Sequence, residues 1–201
     1  GHFAVAILED YGDHIDITGR DYLARIQRGG DQMQAIIDGL LALARLTKKD
    51  ILRERVDLGA IASTVVGSLA EGQPGRTIDV VIDAGMNAIG DPVLLRALYE
   101  NLIGNAWKFT RHRERARIEI GVEQRDGERV FYVRDNGAGF DQSFVNKLFA
   151  PFQRLHAATE FEGSGIGLAT AHKIVSRHGG RIWAEGTTGE GATLRFTLPP
   201  R

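Results

Sequence analysis

Cysteine is absent from the 201 residues of the sequence. Its absence excludes a disulfide-stabilised scaffold and a thiolate zinc site, and it favours a reducing, cytoplasmic location. Long apolar runs are lacking too, because stretches such as GLLALARL are far shorter than the roughly 20 residues that span a membrane. No basic-then-apolar leader opens the sequence, so no signal peptide is expected. The net charge of −1 argues against a broad surface for nucleic acid or acidic lipid.

The N-terminal region has a helical pattern. Over residues 16–53 apolar side chains recur at spacings of three and four, which is a heptad seam. The seam consists of Leu23, Ile26, Gly30, Met33, Ile37, Leu40 and Ala44. The preceding segment FAVAILEDY, joined by GDHID, predicts an antiparallel neighbour. Because a two-helix hairpin has a thin core, we expect two chains to pair into a four-helix bundle; packing of the helix on its own globular domain is the alternative.

The remainder, residues 56–201, predicts helices packed on one face of a mixed sheet. Asp57 and Asp91 are predicted helix caps, and Pro92 fits the first turn of the second helix. Strands are expected at 78–82, 88–89, 117–123, 129–134, 181–184 and 192–198, and helices at 58–70, 142–149 and 166–178. The fold class is therefore α+β, with a helical hairpin over 1–55 followed by an α/β sandwich over 56–201.

Glycine is abundant, at 25 residues against a usual level of about 7 per cent, so some glycines must have specific backbone roles. The P-loop pattern, the G-x-G-x-x-G fingerprint, H-E-x-x-H and G-x-S-x-G are all missing from the sequence. Their absence argues against the nucleotide folds and hydrolases that those motifs mark. Four other segments could form a polar cleft.

The segment NLIGNAWKFT places three polar side chains on one helix face, because Asn101, Asn105 and Lys108 are spaced by four and three residues. An amide oxygen is a hard ligand suited to Mg²⁺, and lysine is a point-charge partner for phosphate. Taken alone, the segment could equally be the solvated face of a helix.

The segment VRDNGAGF puts Asp135 at the end of a strand and before two glycines, Gly137 and Gly139. An ionised carboxylate only accepts hydrogen bonds, so it would suit the amine of adenine and repel the carbonyl of guanine. The glycines would let a base approach the backbone. Taken alone, the segment could also be an ordinary tight turn.

The last two segments are KLFAPFQRLH and EFEGSGIGLATAHKIV. The first suggests a movable lid that Phe149 and Phe152 anchor and from which Arg154 reaches a phosphate; a surface loop is the alternative. The second is a glycine-rich loop that leads directly into a helix. The N–H groups at such a helix start form an anion site, although a flexible turn would look similar.

In their order and separation, the four segments resemble the N, G1, F and G2 boxes of sensor histidine kinases. These kinases belong to a wider superfamily with gyrase B, Hsp90 and MutL, and the later GTTGEGATLRF is similar to its last glycine box. The resemblance implies an ATP-binding domain of that superfamily's fold over residues 56–201. The N-terminal hairpin resembles the dimerisation and phosphoacceptor helices of the same kinases. The segments FQRLH and LEDYG are similar to segments of kinases that receive their signal from phytochrome or PAS sensors.

The resemblance also implies roles for individual residues. Asp135 would bind the adenine amine, and Asn105 would ligate a Mg²⁺ ion that bridges the phosphates. A lid over 141–163 would cover the ATP. The complete implied ATP-binding set is Asn101, Asn105, Lys108, Asp135, Gly137, Gly139, Phe149, Arg154, Gly163, Ser164, Gly165, Gly167, Leu168 and Thr193, the last on the pocket floor.

Two departures from the family pattern bear on activity. The superfamily's ATPases carry a water-activating Glu at the position of Asn101, and an amide is a far poorer base, so slow hydrolysis is expected. The adjacent Glu100 points about 100 degrees away around the helix. The acceptor box, a His followed by an acid or Asn, Leu-Arg and a Pro, has no match, since His2 precedes Phe3. As given, the chain is expected to bind ATP but to lack its own phosphorylation target and a catalytic residue.

The function expected from the resemblance is the catalytic region of a sensor histidine kinase. The full-length protein would phosphorylate a His and relay the phosphoryl group to an Asp of a response regulator. An upstream sensor domain is expected, and the parent protein could be membrane-anchored. The alternatives are an ATP-driven conformational ATPase of the gyrase or Hsp90 class, a non-catalytic ATP-binding regulatory module, and an anti-sigma serine kinase, which the long heptad hairpin disfavours.

Overall fold

The computed structural model describes residues 2–46, 51–153, 155, 160–161 and 163–199. Two helices come first, α1 (His2–Tyr11) and α2 (Ile17–Leu46), and a short 3-10 helix over Gly12–His14 joins them as an antiparallel pair. The hairpin prediction is therefore confirmed for these residues. The last predicted residues of the long helix, 47–50, lie outside the described residues, and 51–53 are not helical. No helix in the described part is long and apolar enough to cross a membrane.

The rest of the described chain combines three helices with two sheets. The helices are α3 (Leu58–Glu71), α4 (Pro92–Phe109) and α5 (Gly167–Arg177). The strands are β1 (Glu54–Asp57), β2 (Ile78–Ile82), β3 (Asn87–Gly90), β4 (Ala116–Arg125), β5 (Glu128–Asp135), β6 (Ile182–Thr187) and β7 (Gly191–Thr197). A 3-10 helix over Gln142–Lys147 replaces the helix that was predicted at 142–149.

Both predicted helix caps are present. The Asp57 side chain accepts hydrogen bonds from the backbone N–H groups of Gly59 and Ala60, and α3 starts at the next residue. Asp91 accepts in the same way from the second and third residues of α4, and Pro92 occupies the first helical position. The α/β sandwich was predicted to start at residue 56, which lies within β1. The sequence did not indicate this strand, which pairs antiparallel with β3.

The five-stranded sheet has the order β2-β4-β5-β7-β6. β2 and β4 run parallel, and the other neighbours are antiparallel, so the sheet is mixed as predicted. One face packs on the helices through buried side chains such as Ile120, Phe131 and Phe196. The opposite face carries ion pairs, including those of Arg117 with Glu119 and of Arg195 with one glutamate on β4 and one on β6. The fold is thus an α/β sandwich that buries one face of the sheet.

A buried histidine connects α5 to the start of α4. His178 follows the last residue of α5, and its Nε2 accepts a hydrogen bond from the backbone N–H of Asp91 at 3.0 Å. Its Nδ1 lies 2.8 Å from the Ile174 carbonyl oxygen, so the neutral ring donates there and accepts from Asp91. Burial lowers the pKa of His178, which favours this neutral form. The contact fixes α4 and α5 together, and these two helices form the walls of the site.

Candidate functional site

A cavity of about 230 Å³ lies between the sheet, α4 and the start of α5. Several residues predicted from the sequence line it, namely Asn105, Lys108, Asp135, Gly139, Gly163, Ser164, Gly165, Gly167 and Leu168. The cavity is smaller than the roughly 300–1,000 Å³ typical of whole-ligand pockets. It can therefore enclose part of a nucleotide, while the remainder lies at the open rim.

Asp135 forms the polar end of this cavity. It is the last residue of β5, between Ile118 of β4 and Ala192 of β7, and only 7% of its surface is exposed. Burial raises the pKa of Asp135 to about 6, while hydrogen bonds from the backbone N–H groups of Gly137 and Ala192 and the charge of Arg113 oppose that rise. The Gly137 bond measures 2.8 Å. At neutral pH the group is a buried carboxylate that can accept a hydrogen bond from a ligand amine.

The second polar wall comes from α4. Asn105 and Lys108 both line the cavity, as their spacing on one helix face predicts. The Lys108 ammonium lies 4.3 Å from the ring centroid of Phe109, and a Cβ on Gly163 would be 3.3 Å from its nitrogen. The lysine charge is therefore next to the glycine-rich segment, where it can attract an anion.

The glycine-rich segment forms the opposite wall and leads into α5. Backbone N–H groups in the first turn of a helix have no partner within the helix, and the helix dipole is positive there. Gly167, the first residue of α5, allows a close approach to α4, because a Cβ at this position would lie 2.6 Å from the Asn101 side-chain oxygen. With Lys108 nearby, this wall has the chemistry of a phosphate site.

Two described residues of the predicted lid, 141–163, contact the rest of the domain. The backbone N–H of Phe152 donates to the carbonyl of Gly165, next to the start of α5, at 3.0 Å. Phe152 has a φ of 64°, a left-handed conformation that is uncommon for a bulky residue. Phe161 is buried, and its ring lies 5.1 Å from that of Phe109 on α4.

Four predicted residues besides Gly137 are not among the lining residues. Thr193 does not line the pocket floor: it faces the opposite side of the sheet, where Arg134 donates to its hydroxyl at 3.3 Å. Phe149 does not line the cavity; its ring lies 6.0 Å from the ring of His172 on α5. Asn101 lies beside the cavity, and its amide donates to the Ala97 carbonyl at 2.7 Å. Arg154 lies outside the described residues.

The two glycines after Asp135 have different roles. Gly139 lines the cavity with a φ of +63°, and a Cβ there would collide with the Thr187 carbonyl oxygen. Gly137 is outside the lining and instead supplies the N–H that binds the carboxylate. Both therefore shape the surroundings of Asp135, but only one of them is available for direct contact with a ligand.

Most of the apolar lining of the cavity was not predicted from the sequence. The additional lining residues are Phe109, Phe140, Leu148, Gln153, Leu155, Phe161, Ala192 and Leu194. Ala192 and Leu194 share a face with Asp135 and Val133, but the register of β7 against β5 decides this, and the sequence of β7 alone does not reveal it. The lid residues gave no signal either, because their position depends on packing against α4 and α5.

The residues present fit a nucleotide with a magnesium ion. Asp135 supplies a buried acceptor for a base, and Lys108 with the start of α5 supplies positive charge for phosphate. Mg²⁺ usually keeps few protein ligands and takes the rest from phosphates and water, so the single amide of Asn105 suits it. Within the described residues, no cluster of three or more His, Asp or Glu side chains could hold a metal by itself.

Comparisons with known proteins agree with this geometry. The family model for histidine kinase-, DNA gyrase B-, and HSP90-like ATPases matches residues 90–201. Cyanobacterial phytochrome A of a Nostoc species is 35% identical over 189 residues, which is 94% of this chain and 25% of that protein. The chain thus spans about a quarter of the length of this curated relative.

Two solved histidine kinase structures share the fold. Full-length ShkA in complex with AMPPNP has a TM-score of 0.68 and 24% identity, covering 92% of this chain and 39% of that one. Histidine kinase ThkA in complex with the response regulator TrrA has a TM-score of 0.70 and 19% identity, covering 99% of this chain and 57% of that one. This chain therefore belongs to the family of histidine kinase-, DNA gyrase B-, and HSP90-like ATPases, and its relatives include histidine kinases and phytochromes.

Proposed function

We propose that this chain is the ATP-binding catalytic region of a sensor histidine kinase. The observation that carries the proposal is that the buried carboxylate of Asp135, the ammonium of Lys108 and the glycine-rich start of α5 line one and the same cavity. These groups match the two parts of a nucleotide, a base that donates an amine hydrogen and an anionic phosphate chain. The complex of ShkA with AMPPNP supports ATP as the ligand.

Different residues of the site bind different parts of the nucleotide. The Asp135 carboxylate accepts a hydrogen bond from the exocyclic amine of adenine, while the apolar lining packs on the base. Lys108 and the backbone N–H groups of 163–168 hold the phosphates, and Asn105 is the ligand for Mg²⁺. When bound, the metal ion neutralises phosphate charge and orients the terminal phosphoryl group.

Among the described residues that line the cavity, Asp135 is the one carboxylate, and it is assigned to the base, so none of them is left to activate water efficiently. Asn101 carries an amide where hydrolytic relatives are expected to carry a carboxylate, and Glu100 is exposed and paired with Arg96 at 2.9 Å. We therefore expect the γ-phosphoryl group to be preserved for a protein acceptor. In the full-length protein this group passes to a His and then to an Asp of a response regulator, as the ThkA complex with a response regulator suggests. Because no histidine of this chain has the acceptor context, we expect the chain alone to form no phosphohistidine.

Calorimetry with a non-hydrolysable ATP analogue tests the site. The wild-type chain is expected to bind more tightly when Mg²⁺ is present. Asn105→Ala should retain metal-free binding but lose most of the gain from Mg²⁺, because the amide ligand is gone. Asn87→Ala is a matched control, since its amide lies in β3 and bonds to Gly85. An unchanged Mg²⁺ dependence in Asn105→Ala would contradict the metal assignment.

Two other outcomes would favour the alternative functions. Rapid steady ATP turnover would favour a conformational ATPase, and absent Mg-ATP binding would favour a non-catalytic module.

We also propose that the hairpin, residues 1–55, dimerises the kinase. Ile26, Met33 and Ile37 of the predicted seam are 62%, 63% and 51% exposed in the single chain. A regular apolar stripe left open along one helix is best covered by a second hairpin, which gives a four-helix bundle. Sedimentation velocity should show a dimer that Ile37→Glu dissociates, whereas Gln34→Glu, a substitution outside the seam, should not. A monomeric wild type would refute this proposal.

A further inference from the structure

Arg113 lies in the turn after α4, outside the cavity but close to Asp135. Its guanidinium Nη2 donates to the Gly137 carbonyl at 2.9 Å and also to the Gly189 carbonyl. Gly137 belongs to the turn that follows β5, and Gly189 lies in the hairpin between β6 and β7. One side chain therefore connects α4 to the two turns that border the carboxylate end of the cavity.

The same three segments are also connected through their backbones. The Ala138 N–H donates to the Phe109 carbonyl at 3.0 Å, and the Gly189 N–H donates to the Ala138 carbonyl at 2.7 Å. The Arg113 backbone N–H donates to the Thr110 carbonyl at 3.0 Å, which fixes the turn that carries the guanidinium. Arg113 thus completes a hydrogen-bonded clasp around the residues that follow Asp135, and its fork of donors is suited to two acceptors at once.

Arg113 also brings a positive charge to the carboxylate. Burial raises the pKa of Asp135, and the two backbone hydrogen bonds and the charge of Arg113 lower it. Among the described residues that line the cavity, Lys108 on α4 is the other ionisable group. The strand neighbours of Asp135 are the uncharged Ile118 and Ala192, and Arg117 faces the opposite side of the sheet, paired with Asp79 and Glu119. Arg113 is therefore the charged group that lowers the pKa of Asp135.

We propose that Arg113 is a positioning residue for base recognition, which holds the Gly137 and Gly189 turns around Asp135 and favours the ionised carboxylate. This inference rests on the proposed ATP-binding function. Its consequence is selectivity: an ionised carboxylate accepts from the amine of adenine, whereas a protonated carboxyl can donate to a carbonyl at the same ring position. Loss of Arg113 should therefore narrow the preference for adenine over hypoxanthine.

The test is titration calorimetry of ADP and inosine diphosphate between pH 5.5 and 8, with wild type, Arg113→Met and Arg113→Lys. Arg113→Met should weaken ADP binding about tenfold and move the midpoint of its pH dependence upward by about 0.5 unit. Its preference for ADP over inosine diphosphate should also shrink. Arg113→Lys keeps the charge but not the two-acceptor geometry, so its affinity should fall while its midpoint stays near the wild-type value.

Arg115→Met is the matched control in the same turn. Arg115 contributes its backbone carbonyl, which accepts from the Asn136 amide at 2.8 Å and which the substitution keeps. Wild-type affinity and an unchanged pH midpoint in Arg113→Met would overturn the inference while leaving ATP binding intact. A weaker affinity with an unchanged midpoint and unchanged base preference would reduce Arg113 to a structural role and also overturn it. Failure of the wild type to bind ADP would instead refute the proposed function itself.

Discussion

Replacement of Asp135 by Asn is expected to stabilise the unliganded protein while it weakens adenine binding. Burial raises the pKa of Asp135 from 3.8 to about 6. Because the folded-state pKa is raised, the contribution of this carboxyl to stability is full below its unfolded pKa and is lost as the pH rises through about 6. Since one unit is worth about 1.4 kcal/mol, the ionised carboxylate lowers the free energy of unfolding by at most about 3 kcal/mol at pH 7.5.

The expected gain is smaller than that limit. The carboxylate accepts from the backbone N–H groups of Gly137 and Ala192, and an amide has one oxygen in place of two. The free energy of unfolding of Asp135→Asn should therefore exceed the wild-type value by about 1–2 kcal/mol at pH 7.5. At pH 4.5 the difference should be lower by about 2 kcal/mol, so that the advantage of Asn disappears, because the wild-type carboxyl is then protonated in the folded state.

Urea unfolding of the nucleotide-free protein, followed by the fluorescence of Trp107 and Trp183, measures this difference at the two pH values. Calorimetry with ADP checks the accompanying loss of affinity. Asp126→Asn is the matched control, because it makes the same chemical change in the exposed β4–β5 turn, where the backbone is left-handed and suits asparagine. A less stable Asp135→Asn protein at pH 7.5, or a difference that does not change with pH, would refute the reasoning.

Two further predictions concern stability. The buried hydroxyl of Tyr99 has no hydrogen-bond partner among the residues that the structure describes. Urea unfolding should therefore show that Tyr99→Phe raises the free energy of unfolding by about 1 kcal/mol. A decrease of about 1 kcal/mol instead would show that the hydroxyl has a hydrogen-bond partner. Gly139→Ala should destabilise the protein by more than 1 kcal/mol and abolish ADP binding, because of its positive φ and the collision with the Thr187 carbonyl. The matched control is Gly104→Ala, since Gly104 lies on α4 with open space for the new methyl group. This substitution should raise the free energy of unfolding by about 0.5–1 kcal/mol in the same assay. Equal effects of the two substitutions would contradict the steric argument.

Local chemistry in the sequence determined most of the secondary structure. The caps at Asp57 and Asp91 depend only on a side chain and the next few N–H groups, so the predicted helix starts are correct. The β4–β5 turn at Asp126 and Gly127, both with positive φ, likewise follows from adjacent residues. Helical spacing also predicted that Asn105 and Lys108 share a face. These features are short-range, and a single sequence contains the information for them.

Features that depend on distant partners were not predictable in this way. The four residues of β1 form a strand only because β3, 30 to 36 positions away, pairs with them. Thr193 appeared to be a floor residue from its motif, yet the register of β7 against β5 turns it to the opposite face and brings Ala192 beside Asp135. A single strand does not reveal which of its two faces will be buried, because that choice depends on where the helices pack.

The sequence by itself determined the family and the starts of α3 and α4, and it predicted Asp135, Asn105, Lys108 and the glycine segment as site residues. Only the tertiary structure decided which apolar residues enclose the cavity and that Arg113 joins the turns beside Asp135. The physical reason is that a hydrogen bond or a contact between segments tens of residues apart exists only after the sheet register and the helix packing have brought those segments together.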